Sequence, residues 1–226
     1  MNGYYEQKLS AQRLKKCYDI ALPRVKQYLE AEISHVLEKI KPGDTVLDLG
    51  CGYGRAIPRL AQKAGVVVGI DNAYASLVLA GNATRSIPNC ELAAMNACQL
   101  GFTDHAFDVV VCIQNGISAF HVDPGALIKE TIRITKPGGG IYFSSYSEKF
   151  WDHRLEWFRM QAAEGLLGEI DEERTGNGVI VCKDGFKAVT VGPGDFLELT
   201  SGLAAGVEIV EVGGSALFCG ITPFKQ

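Results

Sequence analysis

Hydrophobic and polar positions along this chain fall into two rhythms. From Pro23 to Lys41, the residues Val25, Leu29, Ile33, Val36, Leu37 and Ile40 recur every three or four positions, which lines one face of a helix. Pro23 suits the first helical turn, where a missing N–H costs nothing, and Pro42-Gly43 ends the run. The pattern then changes. Val46 to Leu49, Val66 to Ile70, Cys90 to Met95, Val109 to Ile113 and Ile141 to Ser147 are apolar runs too short for helices, as expected of strands buried on both faces. Between them lie helical lengths. Arg55 to Ala64 is closed by Gly65, Ala73 to Ser86 by Ile87-Pro88, and a third begins at Asp123-Pro124 and runs to Lys136. Strands and helices alternating over residues 44–147 predict an α/β fold with a doubly wound, mostly parallel sheet.

After Ser147 the alternation stops. Residues 148–192 read as an inserted helix-hairpin segment after strand five. Trp151, Leu155, Phe158 and Ala162 mark one helix face, and two β-rich runs flank the turn Lys183-Asp184-Gly185. Asp195 is the expected cap of a short last helix, with closing antiparallel strands over 207–212 and 215–221. Residues 1–22 are polar, carry Tyr4, Tyr5 and Tyr18, and have few apolar anchors, so they are expected to form an N-terminal lid. The whole, 1–226, is expected to be a single domain.

Composition narrows the function classes. With 47% hydrophobic and 21% charged residues the chain is an ordinary core-former. A net charge of −4 and the lack of a Lys/Arg-rich run argue against nucleic acid as partner. No apolar stretch approaches a membrane span, and the start lacks a secretory pattern, so no membrane and a cytoplasmic setting are expected. The seven cysteines are scattered singly, which predicts reduced thiols and no metal site.

The chemistry concentrates between Asp44 and Asp71. Gly50, Gly52 and Gly54 follow the first strand, where the backbone can turn sharply and approach a ligand closely. Asp71 ends the second strand, where a carboxylate accepts from both hydroxyls of a ribose. This is a nucleoside-binding βαβ unit. The spacing G-x-G-x-G, against G-x-G-x-x-G, disfavours an NAD-linked oxidoreductase.

The run Asp48-Leu49-Gly50-Cys51-Gly52-Tyr53-Gly54 resembles the first motif of class I S-adenosylmethionine (SAM) methyltransferases. Asn96-Ala97-Cys98-Gln99-Leu100-Gly101-Phe102-Thr103-Asp104, followed by Ala106-Phe107-Asp108, is similar to a second signature of that family, Asp-Ala-x-x-Leu-Pro-Phe-x-Asp-x-x-Phe-Asp. Asn96 replaces its acid and Gly101 its proline, and the Asn96 carbonyl still offers an acceptor to the adenine amino group; its other role is in a loop turn. Tyr18-Asp19-Ile20-Ala21 resembles the family's lead-in, where the aromatic closes over the methionine end; alternatively Tyr18 packs an N-terminal helix. Arg133 to Gly139 matches the stretch before strand five, a turn without a catalytic role.

The resemblance implies a Rossmann-like methyltransferase fold with a seven-stranded sheet, SAM as cofactor, and methyl transfer to a small-molecule acceptor. The alternative is a non-catalytic SAM- or nucleoside-binding regulatory or partner domain. The cofactor residues would be Tyr18, Asp48, Gly50, Cys51, Gly52, Gly54, Asp71, Asn72, Asn96, Ala97, Gln114 and Asn115. On the acceptor side the candidates for chemistry are Tyr146, His121 and Arg154, each with a packing or solvated role as the alternative. Gln114-Asn115-Gly116-Ile117 stands where DNA- and glutamine-modifying members carry Asn/Asp-Pro-Pro-Tyr/Phe, which lowers those substrates. A monomer or homodimer is expected.

Overall fold

The structure, a computed structural model, describes residues 4–225; residues 1–3 of the expected lid and residue 226 of the expected domain lie outside them. The chain opens with helices α1 (Tyr4–Gln7), α2 (Ala11–Asp19) and α3 (Pro23–Lys39). Then β1 (Thr45–Leu49), α4 (Ile57–Ala61), β2 (Val66–Asp71), α5 (Tyr74–Thr84), β3 (Cys90–Ala94), β4 (Phe107–Cys112), α6 (Gly116–Ala119), α7 (Pro124–Ile134) and β5 (Thr135–Tyr146) follow. Past a short 3₁₀ turn come α8 (Trp151–Ala163), β6 (Val179–Val181), β7 (Lys187–Val189), α9 (Pro193–Thr200), β8 (Ala205–Val212) and β9 (Ala216–Pro223).

Seven strands form one sheet in the order β3-β2-β1-β4-β5-β9-β8, and β6 with β7 forms a separate hairpin. The first five are parallel, and β9 enters antiparallel between β5 and β8. Because side chains alternate along a strand, β1 feeds two cores. Val46 packs with Val25, Ile33 and Val36 of α3, while Leu47 and Leu49 pack with Leu127 and Ile128 of α7 and Phe196 of α9. The order reverses between β1 and β4, which opens a crevice at their carboxyl ends.

Several boundaries differ from the expected ones. The first crossover helix is only Ile57–Ala61, and α7 ends at Ile134. Lys136-Pro137-Gly138-Gly139 lies inside β5 as an irregularity in the ladder, where the register steps from Phe107↔Thr135 to Val109↔Gly140. Lys136 Nζ secures it by reaching both oxygens of Asp108 at 2.8 Å. Asp195 is not the cap of α9 but its third residue, accepting the N–H of the capping Gly192 at 2.8 Å.

The inserted helix is rotated from its expected face. The fully enclosed side chains of α8 are Arg154, Trp157, Phe158 and Gln161, whereas Trp151, Leu155 and Ala162 are only partly covered. The segment before α3 is also better anchored than its polarity suggested. Leu9 and Cys17 are buried, Ala11 N–H donates to Ser76 Oγ at 2.8 Å, and Trp157 Nε1–H donates to Cys17 O at 2.8 Å. At its start Tyr4 OH donates to Asp184 Oδ2 at 2.6 Å, so this segment spans from α5 to the β6–β7 turn. No helix among the described residues is long and apolar enough to cross a membrane.

The turn after β1 yields a stability prediction. Gly50 has φ +81°, and a Cβ there would stand 2.5 Å from two ring carbons of Phe120. Gly52 has φ +55° and would meet only a Leu14 methyl at 3.2 Å. In urea titrations Gly50→Ala should lose about 2–3 kcal/mol or more, and Gly52→Ala about 1 kcal/mol. Equal losses would show that the Phe120 contact does not constrain the turn.

Candidate active site

The site begins with how β1 is tied to β2. Gly50 N–H and Cys51 N–H both donate to Ile70 O, at 2.9 and 2.8 Å. Gly52 N–H donates to Asp71 Oδ2 at 2.9 Å, and Ala73 N–H donates to Asp71 Oδ1 at 2.7 Å. Asp71 therefore holds the glycine turn and the start of α5 while lining a cleft beside them. That cleft, with the open solvent at its mouth included, takes up about 1160 Å³.

One end of the cleft runs along Asp71, Asn72, Asn96 and Ala97. Asn96 Oδ1 accepts the Cys98 N–H at 2.9 Å in a local turn, and a carbonyl oxygen has a second lone pair to offer. Behind the glycine turn, Asp48 is 2% exposed and its Oδ2 has no hydrogen-bond partner. Burial raises its pKa to about 7; the charge of Arg55 opposes the rise and that of Asp71 adds to it. Asp48 lines a small recess with Tyr18, Gly52, Tyr53, Arg55 and Gln114 that adjoins the main cleft. The Arg55 guanidinium lies 5.1 Å from the Tyr18 ring centroid.

At the tip of β4 the backbone turns left-handed twice, with φ +61° at Gln114 and +57° at Asn115. Gln114 lines the cleft and is held from below by Glu32, a fully buried carboxylate of α3. Glu32 Oε2 accepts Gln114 Nε2 at 2.6 Å. Its Oε1 accepts the Gln114 N–H at 3.1 Å, Tyr28 OH at 2.9 Å and Ser144 Oγ. Burial pushes the Glu32 pKa up and these donors pull it back.

Much of the remaining lining is aromatic: Tyr5, Tyr18, Phe120, Tyr146, Trp157 and Phe158 contribute to it. Burial, partly offset by Arg154, pushes the Tyr146 hydroxyl up to about 12. Cys17, also lining the cleft, is raised to about 12 by burial.

The structure thus gathers Tyr18, Gly50, Gly52, Asp71, Asn72, Asn96, Ala97, Gln114 and Tyr146 around one cleft, with Asp48 and Cys51 on the adjoining recess. Four candidates stand elsewhere. Gly54 packs against Ala80 of α5, where a Cβ would come within 3.1 Å. Asn115 is buried, its Nδ2 donating to Val189 O at 3.0 Å and its Oδ1 accepting from Ser145 Oγ at 2.9 Å, so it ties the hairpin to the sheet. His121 is exposed beside the cleft, with φ +51°. Arg154 is fully buried behind Tyr146, donating to Gly178 O, Thr190 Oγ1 and Ala188 O.

Glu32, Arg55 and Gln161 are the additional polar groups at the site. Glu32 had one legible signal, a carboxylate at helical spacing between Leu29 and Val36 on the apolar face of α3, because a charge there is buried only when it is bonded. Among the described residues no cluster of side chains is suited to hold a metal ion.

Comparison with known proteins agrees with this geometry. Residues 46–139 match the family model of a methyltransferase domain. Over 136 residues the chain is 30% identical to 2-methyl-6-phytyl-1,4-hydroquinone methyltransferase of Synechocystis sp., covering 56% of this chain and 42% of that protein. Over 106 residues it is 37% identical to a ubiquinone biosynthesis O-methyltransferase of Pseudomonas fluorescens, covering 46% of this chain and 44% of the relative. The chain thus spans less than half the length of these two curated relatives. In fold it resembles a SAM-dependent methyltransferase from Methanosarcina mazei, with a TM-score of 0.61 at 21% identity over 84% of this chain and 98% of that one. The strand order and the glycine turn agree with the match of residues 46–139 to a methyltransferase domain, and the likeness to the Methanosarcina protein is one of fold.

Proposed function

We propose that the protein transfers a methyl group from SAM to a small-molecule acceptor and releases S-adenosylhomocysteine. The observation that carries this reading is the buried Asp48 Oδ2 without a partner, set beside a glycine turn and the Asp71 carboxylate at the mouth of one cleft. A lone buried acceptor next to a cleft suits a ligand that brings a cation, such as the ammonium of the methionyl group. Asp71 would take the ribose hydroxyls, Asn96 the adenine amino group, and Gly50 and Gly52 the close backbone approach. Both curated relatives are named for methylation of small molecules, which favours a small acceptor here. The seven unpaired cysteines favour a reducing compartment such as the cytoplasm.

When bound, the cofactor supplies an electrophilic methyl group on a sulfonium. The chain's part is alignment and exclusion of water, which can contribute about 7–11 kcal/mol. The glycine turn and Asp71 orient one end of the cleft, and Gln114 is fixed at its middle by Glu32. Helices α1 and α2 and the turn between them cover it through Tyr5, Leu9, Leu14 and Tyr18. Residues 4–22 act as the lid in this account, and must open for the ligand to enter.

Two binding measurements test the reading. In calorimetric titrations SAM and S-adenosylhomocysteine should bind and NAD should not. Asp71→Ala should weaken S-adenosylhomocysteine by roughly ten- to a hundredfold, since it removes charge-assisted bonds and loosens the Gly52 turn. Unchanged affinity in that variant would exclude Asp71 as the ribose partner.

The second measurement concerns pH. In the free protein burial holds the Asp48 pKa up at about 7. Below that pH the proton must leave before the carboxylate can pair with an ammonium, so ligand binding releases a proton and affinity rises with pH. Between pH 6 and 7.5 S-adenosylhomocysteine should tighten by roughly eightfold in the parent and stay level in Asp48→Asn. The same raised pKa makes the free fold lose stability as pH climbs from the acidic range through 7, and Asp48→Asn should remove that loss. A pH-independent affinity in the parent would exclude the pairing.

A further inference from the structure

Where Tyr146, Trp157 and Phe158 line the cleft, the described residues leave a buried positive charge without a carboxylate partner. Arg154 is fully enclosed, yet no carboxylate lies within 4.0 Å of its guanidinium among the described residues. It donates to two carbonyl oxygens and a threonine hydroxyl and interacts with the Tyr146 hydroxyl, and its Nε–H has no acceptor among the described residues. The guanidinium lies 4.2 Å from the centroid of Tyr146, which lines the cleft, and 5.6 Å from that of Phe158. Two turns along the same face of α8, Gln161 is 3% exposed and lines the cleft, and its Nε2 also has no partner. Buried charges and amide donors are ordinarily satisfied, because an orphan costs about 1–3 kcal/mol and an unpaired charge more. Here a positive charge and an unspent donor stand at one end of a ligand cleft.

Among the described residues this part of the lining offers no ready base. Among the lining residues burial pushes the Tyr146 hydroxyl and the Cys17 thiol up to about 12, and Asp71 is engaged with the glycine turn. His121 does not line the cleft. A neutral hydroxyl would therefore find nothing to take its proton, and an amine would enter as a cation toward Arg154.

We infer that the methyl acceptor binds as an aromatic oxyanion, a phenolate or a carboxylate, with its oxygen received by Gln161 Nε2–H and its charge balanced by Arg154 behind the Tyr146 ring. This deepens the methyltransferase reading and rests on it. An acceptor that arrives ionised needs no base. A lone pair of its oxygen forms the bond to the methyl carbon as the sulfur–methyl bond breaks, and the bonding pair stays on sulfur. The products are a neutral ether or ester and the thioether, and no proton is released. Gln161 touches the acceptor; Arg154 acts through Tyr146 as a positioning residue.

The test is ligand-observed NMR on the protein saturated with S-adenosylhomocysteine, at pH 8, with benzoate, 4-nitrophenolate, benzyl alcohol and benzylamine as probes. Benzoate or 4-nitrophenolate should bind at least about tenfold more tightly than the alcohol or the amine, the difference expected of one hydrogen bond to a charged oxygen. Whichever anion binds better tells phenolate from carboxylate. Gln161→Ala should remove about tenfold of that affinity while S-adenosylhomocysteine stays within about threefold. Arg154→Met should abolish the preference for anions; if that variant does not fold, Gln161→Glu supplies the test by repelling both anions. Equal binding of all four probes, or a preference for benzylamine, overturns the inference and leaves the methyltransferase reading standing. Failure of S-adenosylhomocysteine itself to bind removes both.

Discussion

Three hydrogen bonds between the end of β1 and the end of β2 govern the site. Ile70 O holds the N–H groups of Gly50 and Cys51, and Asp71 Oδ2 holds that of Gly52. They force the left-handed backbone at Gly50 and Gly52, which only residues without a Cβ adopt cheaply. They also place the Asp71 carboxylate at the cleft, and they leave Asp48, two residues before the turn, beside a small recess with its Oδ2 unpartnered among the described residues. Cofactor recognition in this account follows from the way two parallel strands are fastened together.

That fastening is costly when no ligand is present. A shift of the Asp48 pKa from 3.8 to about 7 corresponds to roughly 4 kcal/mol of lost stability above neutral pH. Burial raises the pKa of a second carboxylate too, but there the oxygens are met by donors. Glu32, equally buried, accepts from Tyr28, Ser144 and both polar groups of Gln114, and so joins α3 to β5 and to the tip of β4. The contrast between a carboxylate with four donors and one with an orphaned oxygen distinguishes a structural group from one awaiting a ligand. By the same reasoning Arg154 and Gln161 on α8 belong to the proposed acceptor site, since the partners they lack are acceptors and not donors.

The sheet and its glycine turn were legible because each strand is a short apolar run and each glycine stands where the backbone needs it. The positions of Asp48, Asp71 and Asn96 followed from motif spacing. The inserted helix was not legible in the same way. Trp151, Leu155, Phe158 and Ala162 form the more apolar stripe, but α8 buries Arg154, Trp157, Phe158 and Gln161, since its buried face serves a ligand cleft as well as a core. Asn115 was placed at the right strand tip, but its left-handed backbone aims the amide at Val189 and Ser145. A residue's location on a sheet edge does not reveal where its side chain points. The polar N-terminal segment concealed its anchors too, because Leu9 and Cys17 are buried by contacts from distant helices that no local pattern displays.

On the proposed reading Asp48 is a buried acid that becomes half of an ion pair when the cofactor binds. Site-resolved carbon NMR of its side-chain carboxyl, followed through a pH titration with and without S-adenosylhomocysteine, reads that directly. In the free protein the carboxyl should titrate near 7, and with ligand bound it should remain ionised down to about pH 5 or below, as a charge-assisted pair requires. A carboxyl that titrates at the same pH in both states, or that is already ionised throughout in the free protein, would contradict it.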